Sequence, residues 1–193
     1  MATEPRRRVS PEEYLSLERQ SETKNEYLNG EIYAMAGASR RHNRITLNVA
    51  IALDGQLKAR GCELYSGDMR VRVPTADLYT YPDVAVVCGE PQFDDAEVDT
   101  LLNPTLIVEV LSRTTESYDR GAKFAYYRTL PSFAEYLVLA QDLVHAEHFV
   151  RQGVTGWLLT ETDRSDDVLE LPSIGCTLAL REAYDRVAFP LSE

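Results

Sequence analysis

Asp83, Glu109 and Lys123 are the residues whose types and spacing suit a chemical role, and all three lie within residues 81–128. Asp83 follows Tyr81-Pro82 and opens an apolar run, residues 84–87, which Pro82 and Gly89 bound as a short buried strand. Glu109 sits inside a second such run, residues 106–111, with apolar neighbours on both sides. At a period of two, Leu106, Val108 and Val110 share one face while Ile107, Glu109 and Leu111 share the other, so this carboxylate must point into something. A carboxylate on a core strand needs a cation, a metal ion or a proton, because leaving it ionised and unpaired costs several kcal/mol. From Asp119 the pattern becomes helical, and Lys123 and Tyr127 fall four apart on one helical face. Carboxylates at the ends of neighbouring strands supply the hard oxygen ligands that Mg²⁺ or Mn²⁺ takes, and a lysine beside them orients water or steadies a pentacovalent phosphorane. That is the chemistry of metal-assisted phosphodiester hydrolysis. The plainer alternative is a buried ion pair of Glu109 with Lys123 that does no chemistry, with Asp83 merely starting a strand.

Those residues need elements to hold them. Ser10-Pro11-Glu12-Glu13 carries a capping box with proline at the first helical position, which predicts a short helix to about residue 20. Asn29-Gly30, flanked by residues 26–28 and 31–35, predicts a β-hairpin. Ser39 caps a longer helix to about residue 60, with Gly61 as its terminator and His42, Ile45, Val49, Ala52 and Leu53 as its inward stripe. In its first turn His42 stands beside Arg40, Arg41 and Arg44, either as a phosphate-facing cluster or as a solvated face with a structural histidine.

Residues 62–65 and 69–73 alternate as two strands around Ser66-Gly67-Asp68, with Arg70 and Arg72 outward. Residues 90–99 read as a protruding acidic loop between the two core strands. A strand over residues 135–140 brings Glu135 as a candidate partner for a basic residue near the site. A meander of three strands and a closing helical pattern over residues 178–187 complete the chain. His145 and His148, three apart in a strand, fall on opposite faces and make poor joint metal ligands.

Pro82-Asp83, Glu109 in IVEVLS, DRGAKFAYY and EYLVLA, with KNEYLNGEIYAM and SRRHNRI upstream, resemble the Uma-type family of restriction endonuclease-like proteins in the PD-(D/E)XK nuclease superfamily. The resemblance spans residues 10–188. It implies an α+β fold, a restriction endonuclease-like mixed β-sheet core flanked by helices, with extra N- and C-terminal β-hairpins. It implies a divalent-metal-dependent endonuclease acting on DNA, with Mg²⁺ or Mn²⁺ held by Asp83 and Glu109 and with Glu26 as a third ligand. His42, Arg40, Arg44 and Tyr127 become candidate phosphate or substrate contacts, and a homodimer is expected. The superfamily places its lysine two residues after the second acid, where this chain has Leu111; the resemblance moves that role to Lys123. A non-catalytic binding module for nucleic acid or protein on the same fold is the other functional class.

The 193 residues, 44% of them hydrophobic, suit one domain over residues 10–193 behind a flexible arm, residues 1–9. No apolar run reaches membrane-spanning length and no signal sequence follows the N-terminal arginines, which points to a soluble cytoplasmic protein without membrane partners. Cys62, Cys88 and Cys176 are odd in number and lack CxxC spacing, which argues against a disulfide framework or a zinc site and suits a reducing compartment. A formal net charge of -11 opposes phosphate binding in general. Most of it sits in residues 90–99, with five acids and no base, and in residues 161–170, with five acids and one arginine. Basic residues gather at Arg6 to Arg8, at Arg40, Arg41 and Arg44, and at Arg70 and Arg72. No phosphate-cradling glycine loop supports nucleoside triphosphate chemistry.

Overall fold

The computed structural model describes residues 8–189. Arg6, Arg7 and most of the expected N-terminal arm lie outside the described residues. Val9, at the arm's end, is held by the hairpin: its N–H donates to the Gly30 carbonyl (3.0 Å) and its carbonyl accepts from the Tyr27 hydroxyl (3.0 Å).

Helix α1 (Pro11–Glu18) starts with both bonds of its capping box formed, Glu13 N–H to Ser10 Oγ and Ser10 N–H to Glu13 Oε2. Strands β1 (Asn25–Leu28) and β2 (Glu31–Ala34) follow as a hairpin. Asn29 and Gly30 take φ of 48° and 89°, the left-handed pair that a tight hairpin turn requires. Helix α2 (Arg40–Leu57) begins at Ser39, whose Oγ accepts from the His42 N–H (3.1 Å). Next come β3 (Cys62–Ser66), β4 (Arg70–Val73), β5 (Leu78–Thr80), β6 (Val84–Cys88), β7 (Thr100–Leu101) and β8 (Leu106–Leu111). A helical segment of three pieces, α3 (Glu116–Tyr118), a π-helical turn (Asp119–Lys123) and α4 (Phe124–Tyr127), leads into β9 (Glu135–Ala140). The chain ends with β10 (Ala146–Gln152), β11 (Gly156–Thr162), β12 (Val168–Leu171), β13 (Cys176–Ala179) and α5 (Leu180–Ala183).

The main sheet runs β11-β10-β9-β8-β6-β3, and only β8 and β9 pair in parallel. That parallel pair needs a crossover, which the helical segment bearing Lys123 supplies. Leu106, Val108 and Val110 face a core shared with α2, β13 and α5; Ile107 and Leu111 face a second core built from Phe124, Tyr127, Phe133 and Tyr136. Period-two alternation on β8 therefore sends Glu109 towards the Lys123 helix, as its pattern requires.

The fold is mixed α+β, with hairpins at both ends of the chain, but the N-terminal one does not stand alone. It joins a second sheet, β2-β1-β5-β4-β7, while β12 and β13 pair with each other. Strands β3 and β4 are correspondingly no hairpin: β3 pairs with β6 in the main sheet and β4 with β5 and β7 in the second. The expected outward arginines are corrected by this sheet. Arg70 is buried, bonded to Tyr81 Oη (3.0 Å) and Thr100 Oγ1 (3.1 Å) and paired with Asp99, and Arg72 pairs with Asp94. With Arg19 on Asp95 (2.6 Å) and Asp99 (2.9 Å), three guanidinium groups fold the acidic loop back onto the protein instead of leaving it protruding. Those acids draw on cations that sequence spacing of 22 to 80 residues conceals. The closing helical pattern also splits, into β13 and the single turn of α5.

Cys62 and Cys88 stand directly opposite each other on β3 and β6 and form a disulfide, which corrects the argument from number and spacing against disulfide bonding. Cys176 remains a buried thiol. Counting cysteines says nothing about which two a sheet brings face to face, and the bond removes the cysteine argument for a reducing compartment. Its ends are 26 apart in sequence, and its removal in Cys62→Ser/Cys88→Ser should cost about 3 kcal/mol. Urea titration of the oxidised and reduced protein measures this, and coincident midpoints would refute it. No helix among the described residues is long and apolar enough to cross a membrane.

Candidate functional site

Strands β6 and β8 pair antiparallel with Val84 opposite Val108, so Asp83, one residue before β6, falls opposite Glu109. Tight pairing of the two backbones thus places two carboxylates on one face of the sheet at neighbouring-strand distance. Asp83 is fixed at both oxygens: Oδ1 lies 2.6 Å from His42 Nε2, and Oδ2 accepts from the Val110 N–H (2.7 Å). His42 reaches it because the Ser39 cap starts α2 at that point. The sequence left open whether this histidine is structural or faces phosphate; it orients an acid.

Glu109 is 4% exposed, and its Oε1 takes two contacts from the helical segment, Lys123 Nζ at 2.9 Å and the Tyr127 hydroxyl at 3.0 Å. The spacing of four between Lys123 and Tyr127 is what puts both on the same carboxylate. Tyr127 is fully buried behind Glu109, with its hydroxyl spent on that acid. Lys123, 5% exposed, also approaches Glu26 (3.4 Å) and Asp119 (3.6 Å). Asp119 escaped the sequence reading, although it precedes Lys123 by four residues, the same spacing that singled out Tyr127. The π-helical turn carries both Asp119 and Lys123; such turns recur at functional sites.

Glu26 departs from the expected arrangement. Its Oε1 accepts from the Thr80 hydroxyl and faces Lys123, whose ammonium lies between Glu26 and Glu109. Asp83, Glu109 and Glu26 do not converge on one point as three ligands would. Among the described residues only His145, Glu147 and Glu161 bring three ligand atoms within 4.8 Å of one another. Glu147 lies in the same cross-strand row as Glu109, two strands away through Val138, and Arg120 Nε already sits 2.5 Å from it. Glu135, expected near the site, is instead buried on the other face against His148 (2.5 Å) and the Ser173 N–H (3.1 Å). His145 and His148 thus serve opposite faces, as their spacing requires.

Burial, then the carboxylates of Asp119 and Asp83, push Glu109 up to about 8 against the pull of Lys123. Burial likewise raises Asp119. Burial opposes the charge on Lys123, but Glu109, Tyr127, Glu26 and Asp119 outweigh it and hold the ammonium well above its ordinary range. Four acids thus surround one ammonium and one imidazole, and burial pushes Glu109 towards its protonated form. A raised carboxyl stabilises the fold fully below its unfolded value, near 4.5, and the contribution is lost as pH rises through about 8. Thermal melts in EDTA should therefore fall between pH 5 and 9, and more steeply in the parent than in Glu109→Gln; equal slopes would refute the assignment.

Residues 11–181 match the family described as "Uma2: Putative restriction endonuclease". The chain belongs to the Uma2 family. Two relatives come from Synechocystis sp.: the uncharacterized protein sll1609 is 42% identical over 149 residues, covering 77% of this chain and 84% of its own length. The uncharacterized protein slr1290 is 36% identical over 182 residues, covering 94% of each. A crystal structure described as a putative nuclease belonging to DUF820 from Anabaena variabilis superposes with a TM-score of 0.76 at 16% identity, over 93% of this chain and 99% of that one. At that identity the likeness is one of fold, and it matches the restriction endonuclease-like α+β architecture expected for an Uma2 chain.

Proposed function

We propose that this Uma2 chain is a divalent-metal-dependent endonuclease that hydrolyses phosphodiester bonds of DNA. The observation that carries the reading is the pairing of Asp83 with Glu109 across β6 and β8, beside a buried Lys123 and with more carboxylates than cations around it. Magnesium needs only one or two carboxylates, filling its other positions with water and substrate oxygens, so Asp83 and Glu109 suffice without Glu26. Bound there, Mg²⁺ or Mn²⁺ supplies Lewis-acid activation of water and neutralises the scissile phosphate.

The protein's own groups divide the remaining work. His42 and the Val110 N–H hold Asp83 in one orientation, and Tyr127 does the same for Glu109. Glu26 and Asp119 keep Lys123 charged and in place, and its ammonium orients the attacking water or steadies charge developing on the phosphoryl oxygens. One such site in each protomer of a homodimer would cut both strands of a duplex.

The buried Glu109 and Lys123 pair, together with the charge of -11, favours the second reading, a non-catalytic binding module. The experiment that separates them is cleavage of supercoiled plasmid and single-stranded DNA with Mg²⁺ or Mn²⁺, with calorimetric metal titration of the same preparations. Cutting and metal binding that both disappear in folded Asp83→Asn support the enzyme. Neither cutting nor metal affinity in the parent protein would leave the binding module.

A further inference from the structure

The flank of α2 turned away from Asp83 carries a pocket that the catalytic reading does not use. It is lined by Ser39, Arg40, Arg41, Arg44 and Arg186, with Val187 and Ala188 as its apolar wall. Two separate elements build it. The Asn48 side-chain amide donates to the Ala183 (3.0 Å) and Asp185 (2.8 Å) carbonyls and so pins the Arg186 turn against α2. Four guanidinium groups around one concavity, in a chain of net charge -11, mark a local reversal of sign.

Their partners are only partly supplied by the protein. Arg41 pairs with Asp142 (2.5 Å), which Arg113 also approaches (3.4 Å), and Arg186 pairs with Asp185 (3.2 Å). Arg40 and Arg44 make no ion pair among the described residues, and Arg41 Nε is buried without a hydrogen-bond partner. A buried guanidinium donor with nothing to bond is the position that a water or an anion fills. Planar forks of this kind match phosphate oxygens two at a time.

We propose that this pocket holds a phosphate group of the substrate strand, offset from the bond that is cut; the proposal rests on the nuclease reading above. At about 100° per residue, His42 lies roughly 160° around the helix from Arg44, so the pocket and Asp83 flank the first turn of α2 on opposite sides. A helix with its side chains is about 10 Å across. The held phosphate is therefore not the scissile one but a neighbour farther along the same strand. Arg40, Arg41 and Arg44 then fix the register of the strand, while His42 on the same turn orients the metal-binding acid.

The test uses the full chain carrying Glu109→Gln, so that DNA stays intact, and measures binding of a fluorescein-labelled duplex by anisotropy across a salt series. Adding Arg40→Gln and Arg44→Gln together should weaken binding about tenfold or more at 0.1 M salt and flatten the log–log salt slope by about 1, the contribution of one phosphate. Arg164→Gln, which removes one charge from an exposed turn, serves as the control and should change the slope much less. In parallel, inorganic phosphate should move the Arg41 Nε–Hε resonance of the wild-type protein. If DNA is bound and cut but the folded double variant keeps the parental slope, the pocket assignment is overturned and the nuclease reading stands. If wild-type protein does not bind DNA while inorganic phosphate still moves Arg41, the nuclease reading falls, and the strand contact with it, leaving a free-phosphate site.

Discussion

Glu109→Gln should lower metal-dependent DNA cleavage on the order of 10³-fold while leaving the fold intact. Glutamine has the shape of the protonated acid, the form towards which burial already pushes Glu109 in the metal-free protein. The amide can still accept from the Tyr127 hydroxyl, so the packing behind it is preserved. It cannot supply an anionic oxygen when the proton should leave for a metal ion. Activity and stability therefore separate: at pH 7 the variant melts with the parent, and at pH 9 it melts higher, because the parent must then carry a buried charge. Initial rates on supercoiled plasmid at saturating Mn²⁺, beside melts at both pH values, check this. A variant that cuts at the parental rate would remove Glu109 from the chemistry.

Lys123→Met should have the opposite signature, with the metal-free fold losing about 3–5 kcal/mol. The ammonium lies 2.9 Å from Glu109, 3.4 Å from Glu26 and 3.6 Å from Asp119, so its removal leaves the acidic cluster without its common cation. Met fills much of the same volume, which confines the effect to charge. Mg²⁺ should then raise the melting temperature of Lys123→Met by more than that of the parent, since the ion replaces the missing positive charge. Chemical denaturation with and without Mg²⁺ reads both effects. Equal stability of variant and parent in EDTA would show that Lys123 is not what balances the cluster.

Much of this site was legible in the chain because its signals are local. Glu109 stands out as a charge within an apolar run, period two assigns it a face, and a spacing of four ties Lys123 to Tyr127. The caps at Ser10 and Ser39 and the Asn29-Gly30 turn are likewise short-range, which is why α1, the start of α2 and the hairpin lie where those residues put them. The cations that fold back the acidic loop, the opposition of Cys62 to Cys88 and the membership of β4 in a second sheet depend on pairings between distant segments, and no pattern within one segment encodes them.

By itself the sequence determined which residues are chemically out of place: an acid on a core strand, an acid at a strand start, and a lysine on the helix between two strands. It also determined the faces on which they lie, since strand and helix periods follow from backbone geometry alone. Only the tertiary structure decided what each one meets. Sheet register set Asp83 against Glu109, the start of α2 set His42 against Asp83, and burial between two layers raised the pKa of Glu109. Glu26 shows the difference most plainly. Its type suits a metal ligand, but the hairpin joins β5, and that pairing sets its carboxylate on Thr80 and Lys123 instead. Residue type limits what a group can do, whereas its partners and its exclusion from water are properties of the packed chain.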